Sequence, residues 1–243
     1  MSVQRGFHEP VEKPKRFYKS VEVVEQDGEF QVRLDGRSVR TPKGAQVRLP
    51  TRALAELEAE EWRNQGPEIE LAEMHVTRLA NTAIEAIPAA REATAETVAE
   101  YAGSDLVCYF AEGPGSLVER QHAHWGPVLE RAESELAVSF VRASGVVHQP
   151  QPEATLARVR ETALGLDDFR LAGLAFGVGL FGSAVLAISV LRGWLSGEQA
   201  FELSRLDEAW QEEKWGIDLE AAERTDRLRG EARMLERWFK ALE

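Results

Sequence analysis

The sequence predicts an α+β protein, in which a small N-terminal antiparallel sheet with a helix precedes a larger C-terminal all-α orthogonal helical bundle. Short segments rich in β-branched and aromatic residues lie near the N-terminus, separated by Asp-Gly and Pro-Lys-Gly turns. After Glu70 these strand signals nearly vanish, and apolar residues recur with the period of a helix. We therefore expect an N-terminal α/β domain over residues 1–72 and a C-terminal helical domain over residues 73–243.

The N-terminal strands are expected to form antiparallel hairpins. They are Phe17 to Val24, Phe30 to Leu34, Ser38 to Arg40 and Gln46 to Leu49. The turns between them are Asp27-Gly28, Asp35-Gly36 and Pro42-Lys43-Gly44. Pro50 and Thr51 then open a helix to about Gln65, where Gly66-Pro67 ends it. This helix is expected to pack against the sheet.

Helical periodicity dominates the remainder of the chain and predicts the bundle. Its helices are Thr77 to Ile87, Ala89 to Tyr101, Leu117 to Leu136, Glu153 to Leu164, an apolar pair around Gly179 to Gly182, Gly197 to Trp215, and Leu219 to Leu242. The breaks at Gly113-Pro114-Gly115 and around Pro150 are short and have apolar flanks, so they are interpreted as loops within the bundle.

Composition excludes several classes of function. The chain has 243 residues, a net charge of −12 and 44% hydrophobic residues, so it has enough apolar residues for real cores. Its negative charge would repel nucleic acids and anionic membranes, so a basic or neutral protein surface is the favoured partner. The segment from Met1 to Lys15 lacks an apolar core and is not expected to be a secretory signal.

The apolar stretch from Leu171 to Leu191 leaves two alternatives open. It carries no charge and is about long enough to cross a bilayer. Its internal Gly and Ser residues and the acidic flank at Asp167 and Asp168 favour two buried helices instead. The run Gly177 to Gly182 also has the glycine spacing of a dinucleotide-binding fingerprint. No second strand follows it, so close helix packing is the preferred interpretation.

No residues are predicted to be catalytic or to bind a metal. His122 and His124 are two residues apart on a predicted helix and point to different faces, so they are interpreted as surface or packing residues. The single cysteine, Cys108, lies in an apolar run and is expected to be a buried, inert thiol. The abundant carboxylates are typical of an acidic helical protein and do not indicate acid–base catalysis.

The segment around Leu206 to Gly216 is the predicted partner-binding surface. Leu203, Leu206 and Trp210 share one stripe of a continuous helix. The residues predicted to contact a partner lie on or beside the opposite stripe: Ser204, Glu208, Gln211, Glu212 and Trp215. Trp210 and Gly216 are assigned structural roles. The alternative is that Trp215 folds back into the core at a helix end where Gly216 supplies a left-handed stop.

The helix that begins at Thr51 carries acids within its apolar arc. Leu54, Leu57 and Trp62 bound an arc that also contains Glu58, Glu61 and Gln65. A buried acid needs a partner, so Glu61, Trp62 and Gln65 are predicted to be domain-contact or structural residues. Glu61 is expected to cap or to pair within the domain contact, with arginines 37, 40 and 78 as candidate partners, rather than to contact a ligand.

The order of motifs along the chain resembles a known family of assembly chaperones. The motifs are Lys15-Arg16-Phe17-Tyr18-Lys19, Leu34-Asp35-Gly36-Arg37, Glu61-Trp62 with Gln65, Thr82-Ala83-Ile84, Cys108-Tyr109, Gly182-Ser183, and Leu206-Asp207-Glu208 with Gln211, Trp215-Gly216 and Asp218. Together they resemble the chaperones of the α subunit of the F-type ATP synthase catalytic head, found in mitochondria and α-proteobacteria. The specificity of the resemblance lies in the ordered set, not in any single motif.

The resemblance implies a non-enzymatic protein with an N-terminal α/β domain and a C-terminal helical domain. It would bind the unassembled α subunit and prevent its aggregation until β subunits replace it. No cofactor, nucleic acid or stable membrane insertion is implied, and the free chain is expected to be a monomer in the bacterial cytoplasm or, in a eukaryote, the mitochondrial matrix. The alternatives are a nucleotide-dependent enzyme that uses Gly177 to Gly182 and a membrane-anchored assembly factor that uses Leu171 to Leu191.

Overall fold

The N-terminal part forms a three-stranded antiparallel sheet. The structure is a computed structural model that describes residues 13–145, 147–216 and 219–243, without the side chains of residues 219–221. The strands are β1 (Val21–Gln26), β2 (Glu29–Leu34) and β3 (Arg37–Ser38), in the order β1-β2-β3. Asp218 and most of the segment from Met1 to Lys15 lie outside the described residues.

Both predicted Asp-Gly turns of this sheet are confirmed. Asp27 and Gly28 have φ of 57° and 79°, and Asp35 and Gly36 have φ of 48° and 79°. Positive φ at both central positions matches the twist of the flanking strands, and Asp and Gly tolerate it better than most residues. The turns therefore fix the register of the two hairpins.

The prediction of a fourth strand, from Gln46 to Leu49, is wrong. It makes only isolated bridges, between Phe30 and Leu49 and between Arg40 and Gln46. Leu49 exchanges both backbone hydrogen bonds with Phe30, at 2.9 and 2.8 Å, but no neighbouring residue continues the ladder. Arg37–Ser38 already holds most of that edge of β2, so the segment reaches β2 only at its end.

Ten α-helices are described, and they confirm the predicted change from sheet to helical bundle. They are α1 (Arg52–Arg63), α2 (His75–Glu85), α3 (Ile87–Gly103), α4 (Gly115–Leu136), α5 (Glu153–Leu164), α6 (Asp168–Phe181), α7 (Ala184–Leu191), α8 (Gly197–Ser204), α9 (Leu206–Trp215) and α10 (Leu219–Ala241). One feature was not predicted: β4 (Tyr109–Phe110) and β5 (Ala143–Ser144) pair in parallel inside the helical part.

Helix α1 joins the sheet to the bundle. The Thr51 hydroxyl accepts a hydrogen bond from Leu54 N at 3.1 Å, which is the predicted N-cap, and also donates to Ala241 O at 2.5 Å. The helix packs on β1 and β2 with one face and contacts α10 and α2 with others. The boundary between residues 72 and 73 remains a prediction, because the buried core is contiguous across it.

The apolar stretch from Leu171 to Leu191 forms two helices, as preferred from the sequence. Helix α6 ends at Gly182, where φ is 63°, and the Ser183 hydroxyl then caps α7 by accepting from Leu186 N at 3.0 Å. Asp105 supports this corner because its carboxylate accepts from the Ser183 hydroxyl at 2.5 Å and from Val185 N at 2.9 Å. No helix within the described residues is long and apolar enough to cross a membrane.

The glycines of Gly177 to Gly182 do not form a dinucleotide-binding turn. Gly177 and Gly179 lie inside α6, and Gly182 is its C-cap, so no strand-to-helix turn exists there. A Cβ on Gly177 would lie 2.9 Å from Leu235 and 3.1 Å from the Cβ of Ala187. The glycine therefore permits α6 to pack closely on α7 and α10, which is the interpretation that the sequence favoured.

Candidate functional site

The candidate site is the outer face of α9, which we define as Glu208, Gln211 and Trp215. Successive residues of a helix are about 100° apart, so these three side chains point away from Leu206. Leu206 is buried, whereas Glu208 and Gln211 are exposed and the Trp215 side chain is 75% exposed. Among the described residues, neither Glu208 nor Gln211 has a side-chain hydrogen bond or ion pair, so both are available to a partner.

The inner side of α9 is attached to α4 by polar contacts. Arg120 donates two parallel hydrogen bonds to the Glu213 carboxylate, at 2.8 and 3.0 Å. Arg120 lowers the pKa of Glu213 through these bonds, so the carboxylate stays charged. Gln121, which is fully buried, donates to Asp207 Oδ1 at 2.8 Å and accepts from Ala111 N at 2.7 Å. These contacts hold the outer face in one orientation.

The two remaining residues of the predicted partner-binding set make contacts within the chain. Ser204 is buried at the end of α8, and its hydroxyl donates to Phe201 O at 2.8 Å. Glu212 is half-buried and accepts from the Arg205 guanidinium at 3.3 Å. The predicted helix Gly197 to Trp215 is broken at Arg205, so the phase that placed Ser204 beside Glu208 is lost. The structure thus brings together Glu208, Gln211 and Trp215 but not Ser204.

The end of α9 exposes its tryptophan instead of burying it. Trp215 lies at the edge of the half-buried Trp210 ring, with centroids 6.0 Å apart, and Lys214 Nζ lies 5.7 Å from the Trp210 centroid. Gly216 ends the helix with φ of 91° and ψ of 170°, a conformation that favours glycine, and its N–H donates to Glu212 O. The alternative in which Trp215 folds back into the core is not what the structure shows.

The acid predicted to cap or pair on α1 acts as a cap for α2. Glu61 accepts from Val76 N at 2.7 Å and from the backbone and hydroxyl of Thr77, both at 2.9 Å. A carboxylate at a helix N-terminus satisfies orphan N–H groups and interacts favourably with the helix dipole. Burial still raises the pKa of Glu61. The prediction that an arginine pairs with Glu61 is wrong, because Arg40 donates to Gly44 O and Arg78 donates to Ala72 O.

Trp62 and Gln65 connect α1 to the chain on either side of it. Trp62 is buried, its ring meets the Tyr18 ring edge-on with centroids 5.6 Å apart, and its carbonyl accepts from the Tyr18 hydroxyl at 2.6 Å. Gln65 donates to Glu61 O at 3.1 Å and accepts from Glu70 N at 2.7 Å. Trp62 therefore holds the segment before α1 against the helix, and Gln65 holds the segment after it.

Glu58 is a buried acid without a partner, contrary to the expectation that such an acid finds one. Its side chain is fully buried, and neither carboxyl oxygen makes a hydrogen bond within the described residues. Burial raises the pKa of Glu58 to about 8, and the nearby Trp62 indole, which lies outside hydrogen-bonding geometry, opposes this less strongly. The carboxyl group is therefore neutral at pH 7, which is how a desolvated acid avoids an unpaired charge.

A Glu58→Gln variant should remove a pH dependence from folding stability. Below pH 4.5 the Glu58 carboxyl group is protonated in both the folded and the unfolded chain. Between pH 4.5 and about pH 8 it is ionised in the unfolded chain but stays protonated in the folded chain. Between pH 5 and pH 8 this should lower the free energy of unfolding by roughly 3 to 4 kcal/mol in the native chain. Urea titrations across this range, with the exposed Glu100→Gln as control, measure the difference. If the free energy of unfolding changed equally with pH in the native chain and in Glu58→Gln, Glu58 would not be a buried neutral acid.

Comparisons with known proteins identify the family. A family model described as the ATP12 chaperone protein matches residues 15–133. The mitochondrial protein atp12 of Schizosaccharomyces pombe is 28% identical over 224 residues, which cover 87% of this chain and 77% of that protein.

Two solved structures share the fold over nearly the whole chain. The crystal structure of Atp12 from Paracoccus denitrificans is 36% identical, with a TM-score of 0.87, and the match covers 95% of this chain and 99% of that one. The crystal structure of a chaperone candidate from Agrobacterium tumefaciens is 38% identical, with a TM-score of 0.88. The match covers 95% of this chain and 87% of the Agrobacterium chain.

Proposed function

The chain belongs to the ATP12 chaperone family, and we propose that, in ATP synthase assembly, it binds the unassembled α subunit of the catalytic head. The bound α subunit is kept from aggregating until β subunits replace the chaperone. The observation that carries this proposal is the outer face of α9, where an exposed tryptophan lies with an acid and an amide that have no partners within the described residues.

The chemistry of the outer face of α9 suits a reversible protein contact. An unassembled subunit exposes apolar surface that its neighbours normally cover, and such patches promote aggregation. Trp215 supplies an aromatic anchor of the kind enriched in interfaces, and Glu208 attracts a basic group on the client. The attachment of Asp207 and Glu213 to α4 holds the face in place before binding, so little conformational entropy is lost when a client docks.

Release by competition needs no catalytic step. A chaperone that covers a subunit interface is displaced by mass action when the natural neighbour binds the same surface. We therefore propose that the chain has no enzymatic activity and uses no cofactor. We also propose that it is monomeric when free and, by analogy with the mitochondrial relative in fission yeast, acts in the mitochondrial matrix of a eukaryote or the cytoplasm of a bacterium.

Charge reversal at Glu208 should impair client binding without unfolding the chaperone. Glu208→Lys places a cation where the client is proposed to be basic, so we expect at least tenfold weaker binding, because like charges across an interface are costly. The binding assay uses the isolated α subunit, and light scattering reports its aggregation after dilution from denaturant. Circular dichroism checks the fold.

The matched control is Glu100→Lys, which makes the same charge change at an exposed acid of α3 that has no ion pair within the described residues. It should bind like the native chain. Equal binding by Glu208→Lys and Glu100→Lys would remove α9 from the proposal, and failure of the native chain to bind the α subunit would remove the function itself.

A further inference from the structure

Phe17 is presented to solvent by an ordered, extended segment. Its side chain is 71% exposed, whereas the next residue, Tyr18, is 4% exposed. The Phe17 ring lies against the Tyr18 ring edge-on, with centroids 5.3 Å apart, while most of its own surface stays exposed. The Tyr18 hydroxyl donates to Trp62 O at 2.6 Å, which holds the ring that Phe17 rests on. The position of the Phe17 ring thus depends on how its neighbour is anchored.

The backbone on both sides of Phe17 is held by hydrogen bonds. Arg16 N donates to Pro67 O at 2.9 Å, and the Arg16 guanidinium donates to Gln65 O at 2.5 Å. On the other side, Lys19 N donates to the Asp35 carboxylate at 3.1 Å. A partner that covers Phe17 would therefore order only a side chain with two rotatable bonds, and not a loop. Preorganised aromatic side chains of this kind are typical interface anchors.

Lysines without ion pairs flank the exposed ring. Lys15 and Lys19 are exposed and have no carboxylate within ion-pair distance among the described residues. Lys13, by contrast, pairs with Glu70 at 2.5 Å. Nearby acids offset part of this charge, because Glu68 forms a backbone bridge with Lys15 and Asp35 interacts electrostatically with Lys19. With Lys13 and Arg16 included, four cations lie near three acids, Asp35, Glu68 and Glu70. In a chain of net charge −12 this leaves a local cationic rim around an aromatic side chain.

We propose that Phe17 anchors a second contact with the same α-subunit client, at an acidic client surface that surrounds an apolar depression. This inference rests on the proposed function and gives the chaperone two contacts of opposite charge, an acidic one at α9 and a basic one at Phe17. Opposite charges at two contacts reject a client docked the wrong way round. A second copy of the chain is a poorer occupant, because two chains of charge −12 repel each other.

The test measures the affinity of the full chain for immobilised, isolated α subunit. Phe17→Ser should raise the Kd about tenfold, as truncation of an aromatic anchor does. Lys15→Glu should also raise the Kd. Added salt should bring the Kd of this variant closer to that of the native chain, because salt screens the repulsion that the new glutamate introduces. The matched controls are Val147→Ser, at a side chain that is 68% exposed, and Arg192→Glu, at an exposed cation without an ion pair within the described residues. Both controls should bind like the native chain.

The outcomes separate this inference from the proposed function. If the native chain binds the α subunit, Glu208→Lys weakens binding, and both Phe17→Ser and Lys15→Glu bind normally, the second contact is overturned while the function stands. If the native chain does not bind, both fall. A concentration-dependent dimer of the native chain that Phe17→Ser dissociates, seen by light scattering after gel filtration, would assign Phe17 to self-association and overturn the inference. Weaker binding by both variants with normal controls would support it.

Discussion

The Gly197→Ala variant is expected to lose about 3 kcal/mol or more of folding stability. A Cβ at Gly197 would lie 2.0 Å from Ala232 O and 2.6 Å from its carbonyl carbon, and both are backbone atoms of α10. A flexible side chain could move aside, but the backbone of a packed helix cannot do so without moving its neighbours. The first turn of α8 would have to retreat from α10, and Gly197 N would lose its 2.8 Å hydrogen bond to Glu236.

Gly230→Ala is the matched control, since it adds the same methyl group on α10 itself. A Cβ at Gly230 would meet no atom within 4 Å, and the residue is exposed within a helix. Alanine forms helices better than glycine, so this variant should be more stable than the native chain by up to about 1 kcal/mol. Urea unfolding followed by circular dichroism measures both. Similar midpoints for Gly197→Ala and the native chain would show that α8 and α10 can separate at little cost.

The role of Gly197 illustrates what a single sequence hides. Its position at the start of a predicted helix is visible in the sequence, but its distance from Ala232 depends on how two helices cross. The break at Arg205 is a second example: Trp125 Nε1 donates to Leu203 O at 3.0 Å, a carbonyl that would also accept the ladder bond of a continuous helix. A contact from a distant helix thus lies at the point where a segment predicted as continuous is divided.

Local chemistry predicted the parts of the fold that depend on it. The turns with positive φ were predicted from their Asp-Gly pairs, and the N-cap at Thr51 was predicted because it needs only the N–H groups of the following helical turn. The pairing of β4 with β5 was not found, because each strand has two residues and their partners lie 34 positions apart, Tyr109 with Ala143. Such short strands carry no alternating pattern.

The candidate site was predictable only within α9. Glu208, Gln211 and Trp215 share one face over ten residues, so the helical period is sufficient to group them. The attachment of α9 through Arg120 and Glu213 was missed, although Glu213 lies seven residues after Leu206 and therefore on the same stripe. Which arginine it meets is decided by the packing of α4.

Trp62→Arg should be strongly destabilising, by about 4 kcal/mol near pH 6, as large-to-small changes of buried aromatics are. The variant removes the ring that contacts Tyr18 and places a guanidinium where the native side chain is only 7% exposed. Burying an unpaired charge adds to the cost. Thermal and urea unfolding measure the loss, and Trp62→Phe, which keeps an aromatic ring, should lose much less.

The neighbouring acid gives this prediction a pH dependence that a purely steric cause would not produce. Glu58 is one helical turn before residue 62, and in the native chain its carboxyl group is neutral until about pH 8. An arginine at position 62 should lower the pKa of Glu58, so the carboxyl group ionises at a lower pH in Trp62→Arg than in the native chain. Between those two pKa values the native chain loses stability as the pH rises, whereas the variant does not, because its ionised Glu58 has a cation beside it. The difference in stability between the two chains should therefore shrink as the pH rises towards 8. Adding Glu58→Gln to both chains should abolish that change, and a difference that stays constant with pH would show that lost packing alone sets the cost.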